Sequence, residues 1–152
     1  MPQRRPYEDT TVSWTQSQAT LASLFAKHEI ISTRFTNYAG QAIVEFMLPK
    51  KQWPVRLTVA VAAQGSKAAD ARELNRIWRC VFWFIKSKLE AVEIGLTEME
   101  REWLPYIAIG DGTFSDRVLP EMNRLRAGSS FAGLLLPGRN EGADYEADDA
   151  GA

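Results

Sequence analysis

The sequence predicts a single α+β domain: an antiparallel sheet of three to four strands, in β-α-β-β-β-α order, packed by a long helix. Two patterns carry this reading. Between Ile30 and Val61, three segments alternate apolar and polar residues, the period of strands with one buried face. From Ala71 to Gly95, Leu74, Ile77, Trp78, Val81, Ile85, Leu89 and Val92 recur at three- and four-residue steps, as on one face of a helix. With 152 residues, 45% hydrophobic and 24% charged, the chain has enough apolar material to form such a core without disulfides or metals.

The elements follow in order. Residues 1–9 are polar with two prolines and read as a flexible arm. Thr10–Trp14 reads as a short strand. Thr15 or Ser17 then offers an N-cap for a helix over Ser17–His28, with Leu21, Leu24 and Phe25 at helical spacing. Ile30–Asn37 alternates, placing Ile31, Thr33 and Phe35 on one side. A turn at Tyr38–Gln41 leads to Ala42–Leu48, whose inner face is Ala42, Val44, Phe46 and Leu48. Pro49–Gln52 turns the chain into Trp53–Val61, with Trp53, Val55, Leu57, Val59 and Val61 facing inward. Pro54 assigns that strand to a sheet edge. Short connections between consecutive strands imply an antiparallel meander.

The long helix begins near Asp70, and Gly95 supplies its stop. Thr97 and Glu100 form a capping-box pattern for a second helix over Glu98–Leu104, ended by Pro105. Tyr106–Ile109 reads as a strand before a tight Gly110-Asp111-Gly112 turn. Ser115–Arg126 reads as a helix interrupted at Pro120. Phe131 and Leu134–Leu136 belong to a non-regular segment packed on the body. The domain thus covers 10–138, and 139–152 is expected to be an acidic, disordered tail.

The run from Lys86 to Glu93 (KSKLEAVE), with Thr97–Glu102, Ile109–Gly112 and Leu135–Pro137, resembles a family of small phage- and prophage-encoded proteins without an established activity. The resemblance implies a phage or mobile-element setting, and so the host cytoplasm. Gly110 departs from the family's Leu-Pro-Asp-Gly-like turn.

Composition excludes several chemistries. The chain has one histidine, His28, and one cysteine, Cys80, which leaves no Ser–His–Asp set, no metal-ligand cluster and no disulfide. No phosphate-binding glycine loop is present. No catalytic residue, metal or cofactor is assigned, and the protein is expected to be non-enzymatic. The N-terminus lacks a secretory apolar core, and the densest apolar run, Val81–Ile85, is too short to span a bilayer. A cytoplasmic location without a membrane partner is therefore expected.

Charge is unevenly spread. Net charge is −1, but setting aside the five acids beyond Asn140 raises the balance to +4. Arg72, Arg76, Arg79, Trp83 and Lys86 recur every three or four residues along one helix face, where cations would meet phosphates and an indole would stack on a base. Arg34 and Arg56, with Lys50 and Lys51 at a turn, suggest a shallow basic groove on the outer sheet face. The alternative for both surfaces is a solvated face with neighbouring carboxylates. Cys80, Phe82, Trp83 and Phe84 widen the helix's apolar surface beyond what one sheet covers. Phe82, Trp83 and Phe84 are therefore candidate contacts for a homo-oligomer or another protein. Two functions follow as expectations: an oligomer binding nucleic acid, such as single-stranded DNA, in phage replication or recombination; or an adaptor or inhibitor acting on a host protein.

Overall fold

The computed structural model describes residues 3–128. The chain divides into two compact units, Met1–Asp116 and Arg117–Ala152. The first has an α+β fold built from α1 (Trp14–Lys27), β1 (Thr33–Tyr38), β2 (Gln41–Met47), β3 (Pro54–Ala60), α2 (Lys67–Glu93), α3 (Met99–Trp103), a 3-10 turn (Leu104–Tyr106), β4 (Ala108–Ile109) and β5 (Gly112–Thr113). The last helix, α4 (Phe114–Gly128), begins there and continues into the second unit.

The three long strands form an antiparallel meander in the order β1-β2-β3, and β4 and β5 form a separate hairpin. Ala39 and Gly40 connect β1 to β2 with φ of 49° and 70°. Positive φ at both central residues makes a turn whose twist matches that of the flanking strands. That turn fixes the register, pairing Asn37 with Ala42 and Arg34 with Glu45. The β2–β3 register then pairs Glu45 with Arg56 and Val44 with Leu57. Ala42, Val44, Phe46, Leu48, Val55 and Leu57 are all buried on the inner face.

The long helix covers that face. It starts three residues before Asp70, because the Ser66 hydroxyl accepts a hydrogen bond from the Ala69 amide at 3.2 Å and so caps it. Its end is a Schellman closure. Gly95 has φ of 78°, the Gly95 amide donates to the Val92 carbonyl, and the Leu96 amide donates to the Ala91 carbonyl. Ile77, Trp78, Val81, Phe82, Ile85 and Leu89 are buried in one core with Leu21 and Phe25 of α1 and Trp103 of α3.

Several sequence expectations are corrected. Thr10–Trp14 is not a strand. Ser13 caps α1 by accepting from the Gln16 amide at 3.2 Å, and the Trp14 amide donates to Asn75 Oδ1 at 2.8 Å. The helix therefore begins at Trp14, and Ser17 is a buried helical residue rather than a cap. Ile31 and Trp53 lie at the frayed ends of the strand pattern and are exposed, Ile31 to 89%. The capping box fails as well: Glu98 holds the cap position of α3 without a side-chain bond. Pro120 lies inside α4 without ending it. Its ring has a helical φ, so the cost falls on the Asp116 carbonyl, which loses its helical donor. The boundary between the two units follows that residue. The expected Phe131–Leu136 segment and the acidic tail lie outside the described residues.

The Ala39–Gly40 turn gives a prediction. Alanine is strained at φ of 49°, whereas asparagine adopts this region readily. Ala39→Asn should stabilise the fold by about 0.5–1 kcal/mol, read as a raised urea midpoint with an unchanged slope.

Candidate functional site

The outer sheet face carries a hollow lined by Arg34 and Arg56, but Glu45 and Asp111 line it too, so it is not the basic groove expected. Arg34, Glu45 and Arg56 occupy one row across the three strands. Glu45 Oε2 accepts from Arg34 Nε at 2.5 Å, and Oε1 accepts from Arg56 Nε at 3.1 Å. The Arg34 hydrogen bond above all holds the Glu45 carboxyl below its ordinary range, and Glu45 in turn raises Arg34. Two cations therefore share one anion, leaving a net +1. Lys50 and Lys51 are exposed on the β2–β3 turn, where Lys50 has φ of 67°.

The helical stripe divides into two parts. Arg76 is 14% exposed and forks onto Glu73, Nη2 to Oε1 at 2.7 Å and Nε to Oε2 at 3.0 Å. Glu73 is only 5% exposed and also pairs with Arg5 at 3.2 Å. The N-terminal arm is thus tied to α2, with the Pro6 carbonyl accepting from Arg76 Nη1 at 3.4 Å. The Arg76 hydrogen bonds lower the Glu73 carboxyl most, and Arg5 adds to the shift. Sequence reasoning passed over Glu73, although its three-residue spacing from Arg76 is a recognised pairing signal.

Arg79, Trp83 and Lys86 make the second part. The Arg79 guanidinium lies 4.8 Å from the Phe82 ring centre and 5.2 Å from that of Trp83, and Lys86 Nζ lies 5.4 Å from Trp83 on an indole 39% exposed. Lys86 is also paired with Glu90. Arg72 stands apart, exposed in the first turns of α2.

The apolar girdle is partly covered from within the chain. Phe82 is buried in the core, so it is not available as a contact for another molecule. Phe84 packs edge-on against Tyr106 at 5.8 Å and remains 39% exposed. Beneath it, Lys88 Nζ lies 4.9 to 5.6 Å from the rings of Phe84, Tyr106 and Trp103 and pairs with Glu102 at 2.7 Å.

Phe84 borders a groove of about 550 Å³ between β3, α2 and the β4–β5 hairpin. Its walls are Leu57, Val59, Val81 and Tyr106, with Asp111 and Thr113 on the rim. Four consecutive β3 residues, Arg56 to Val59, line it. Successive strand side chains point to opposite faces, so a hollow touching four in a row runs along the strand's edge.

That edge is open over part of its length. The Val61 amide donates to Gly40 and the Leu48 amide to Trp53, which sets odd-numbered β3 residues to hydrogen-bond with β2 and even-numbered ones outward. The bridge between Val55 and Ile107 covers the beginning of the edge. Thr58 and Ala60, beyond it, direct their backbone N–H and C=O away from the sheet where no described strand pairs with β3. Sequence periodicity identified the edge through Pro54 but not the groove, whose far wall comes from residues some fifty positions later.

Among the described residues, no cluster of three metal-ligating side chains and no helix able to cross a membrane is found. Comparison with protein-family models, curated proteins and solved structures gives no match for this chain.

Two substitutions test this description. Glu73→Gln should cost roughly 2 kcal/mol near neutral pH, because two hydrogen bonds to a charged acceptor are weakened in a buried site. A carboxyl lowered by folding stabilises above its unfolded value, and that contribution is lost as pH falls through the folded one. The difference in urea stability between wild type and Glu73→Gln should therefore be constant at neutral pH and close on acidification. Glu45→Gln should release the charge of Arg34 and Arg56, raising the salt concentration needed to elute the protein from heparin.

Proposed function

We propose that this protein is a non-enzymatic protein-recognition module whose binding surface is the groove beside the β3 edge, rimmed by Phe84. The observation that carries this reading is the backbone of Thr58 and Ala60, which no described strand pairs, alongside an apolar hollow. An open edge offers directional hydrogen bonds, and the hollow accepts alternate side chains, which together suit an added strand. The pairing of Arg76, Arg34, Arg56, Lys86 and Lys88 with carboxylates supports it further, since matched cations release few counterions on meeting a polyanion. With the phage-type resemblance, the module reads as an adaptor or inhibitor acting in the host cytoplasm.

A second reading keeps nucleic acid as the ligand. It rests on Trp83, whose exposed indole has Arg79 and Lys86 beside it, a combination suited to stacking a single-stranded base between cations.

One experiment separates them. A photo-crosslinking benzoylphenylalanine replaces Phe84 in cells, and the adducts are digested with nuclease or protease. The recognition reading expects protease-sensitive adducts that are lost when Thr58→Pro blocks the edge. Nuclease-sensitive adducts, with salt-dependent binding of an oligothymidine that Trp83→Ala abolishes, would overturn it in favour of the second reading.

A further inference from the structure

We infer that the groove takes an extended segment of another protein that carries a lysine or arginine between two apolar residues, the cation meeting Asp111 and the apolar pair entering the hollow. This deepens the recognition reading and rests on it. Asp111 stands on the turn between β4 and β5 and is exposed. It lines both the groove and the hollow on the outer sheet face, each time together with Arg56 and Thr58. It therefore guards the β3 edge with a single negative charge. Such a guard discriminates: it repels an acidic strand, gains nothing from a neutral one, and favours one that brings its counter-charge.

Strand geometry sets the pattern. A residue directly opposite Thr58 in an added strand points to the same face as Thr58, the outer face that also carries Ile43, Glu45 and Arg56. Asp111 lines the hollow on that face. The two neighbours of that residue point to the inner face, where Leu57, Val59, Val81, Phe84 and Tyr106 wall the groove. Charge agrees with this placement. The charged residues lining the groove are Arg56, Asp111 and Asp116. The nearby cations Arg34 and Arg56 pair with Glu45 rather than with Asp111, and Asp116 accepts from uncharged Thr113. The carboxylates of the groove thus outnumber the cations left to meet them, and a lysine or arginine on the incoming strand supplies what is missing.

Selection from a display library of random short peptides, with the full chain as bait, tests the inference. Wild type should enrich an apolar–basic–apolar pattern, and Thr58→Pro, which removes an outward-facing N–H, should abolish the enrichment. Asp111→Lys should replace the basic residue of the pattern by an acidic one. The most enriched peptide, resynthesised with a fluorescent label, should bind Asp111→Asn about two- to fivefold more weakly by anisotropy, with circular dichroism of the protein unchanged. Its Lys→Glu or Arg→Glu version should bind Asp111→Lys better than wild type. Edge-dependent enrichment without a basic residue, or with one that Asp111→Lys leaves in place, would overturn the inference while the recognition reading stands. Enrichment indifferent to Thr58→Pro would overturn both. Absence of any enriched peptide would overturn the inference, and the recognition reading is then decided separately, by whether Phe84 crosslinks to another protein in an edge-dependent way.

Discussion

The first unit is organised by the attachment of one indole to one amide. Trp78 is fully buried at the middle of α2, and its Nε1 donates to Asn37 Oδ1 at 2.7 Å. The Phe35 ring meets it edge-on at 5.8 Å. Hydrophobic burial would hold a helix against a sheet, but it is non-directional and permits sliding. A buried N–H needs a partner, and only one placement of α2 along β1 gives Trp78 its acceptor. This contact fixes which residues of α2 face the sheet and which face water. The groove, the Arg76–Glu73 pair and the Trp83 face all follow from that rotation.

The distribution of charge follows from the same rotation and from the strand register. Glu73 points inward, where an unpaired carboxylate would carry a large desolvation cost. Arg76 and Arg5 offset that cost, so two arginines are committed to structure and the N-terminal arm is bound to α2. On the sheet, the two-residue turn places Glu45 between Arg34 and Arg56. Each of these carboxylates removes cations from the surface that a polyanion would meet. Lys88 is held in the same way, between Glu102 and three aromatic rings. Electrostatics here serves placement first, which is why the recognition reading rests on backbone hydrogen bonds and an apolar hollow rather than on net charge.

The groove arises where elements distant in sequence approach incompletely. The segment leading into β4 reaches β3 at the antiparallel Val55–Ile107 bridge, from which β4 runs toward Pro54 and away from Thr58. The residues on the Thr58 side of that bridge form the 3-10 turn Leu104–Tyr106 rather than a strand, so the pairing does not extend along β3 to Thr58 and Ala60. The gap thus exposes both the backbone row and the walls supplied by Val81, Phe84 and Tyr106. Asp116 fixes the far side by accepting from the Thr113 amide at 2.8 Å and its hydroxyl at 3.0 Å.

The amino-acid sequence by itself determined the class of fold, the inner faces of β2 and β3, and the span and stop of α2. These depend on local periods of two and of three to four residues and on turn chemistry at Ala39–Gly40 and Gly95. It was misleading at Thr10–Trp14, where a strand-like alternation yields to a cap on Ser13 and to an acceptor on Asn75, more than sixty residues away. Tertiary structure alone decided which cations remain accessible. Arg76 and Arg79 differ little in sequence context, yet one lies against a buried carboxylate and the other beside an exposed indole. It also decided that β3 keeps, among the described residues, an open edge beside a hollow, because residues some fifty positions later form a helical turn there rather than a pairing strand. Periodicity reports which face of an element is buried; it does not report what stands opposite, and binding is settled by what stands opposite.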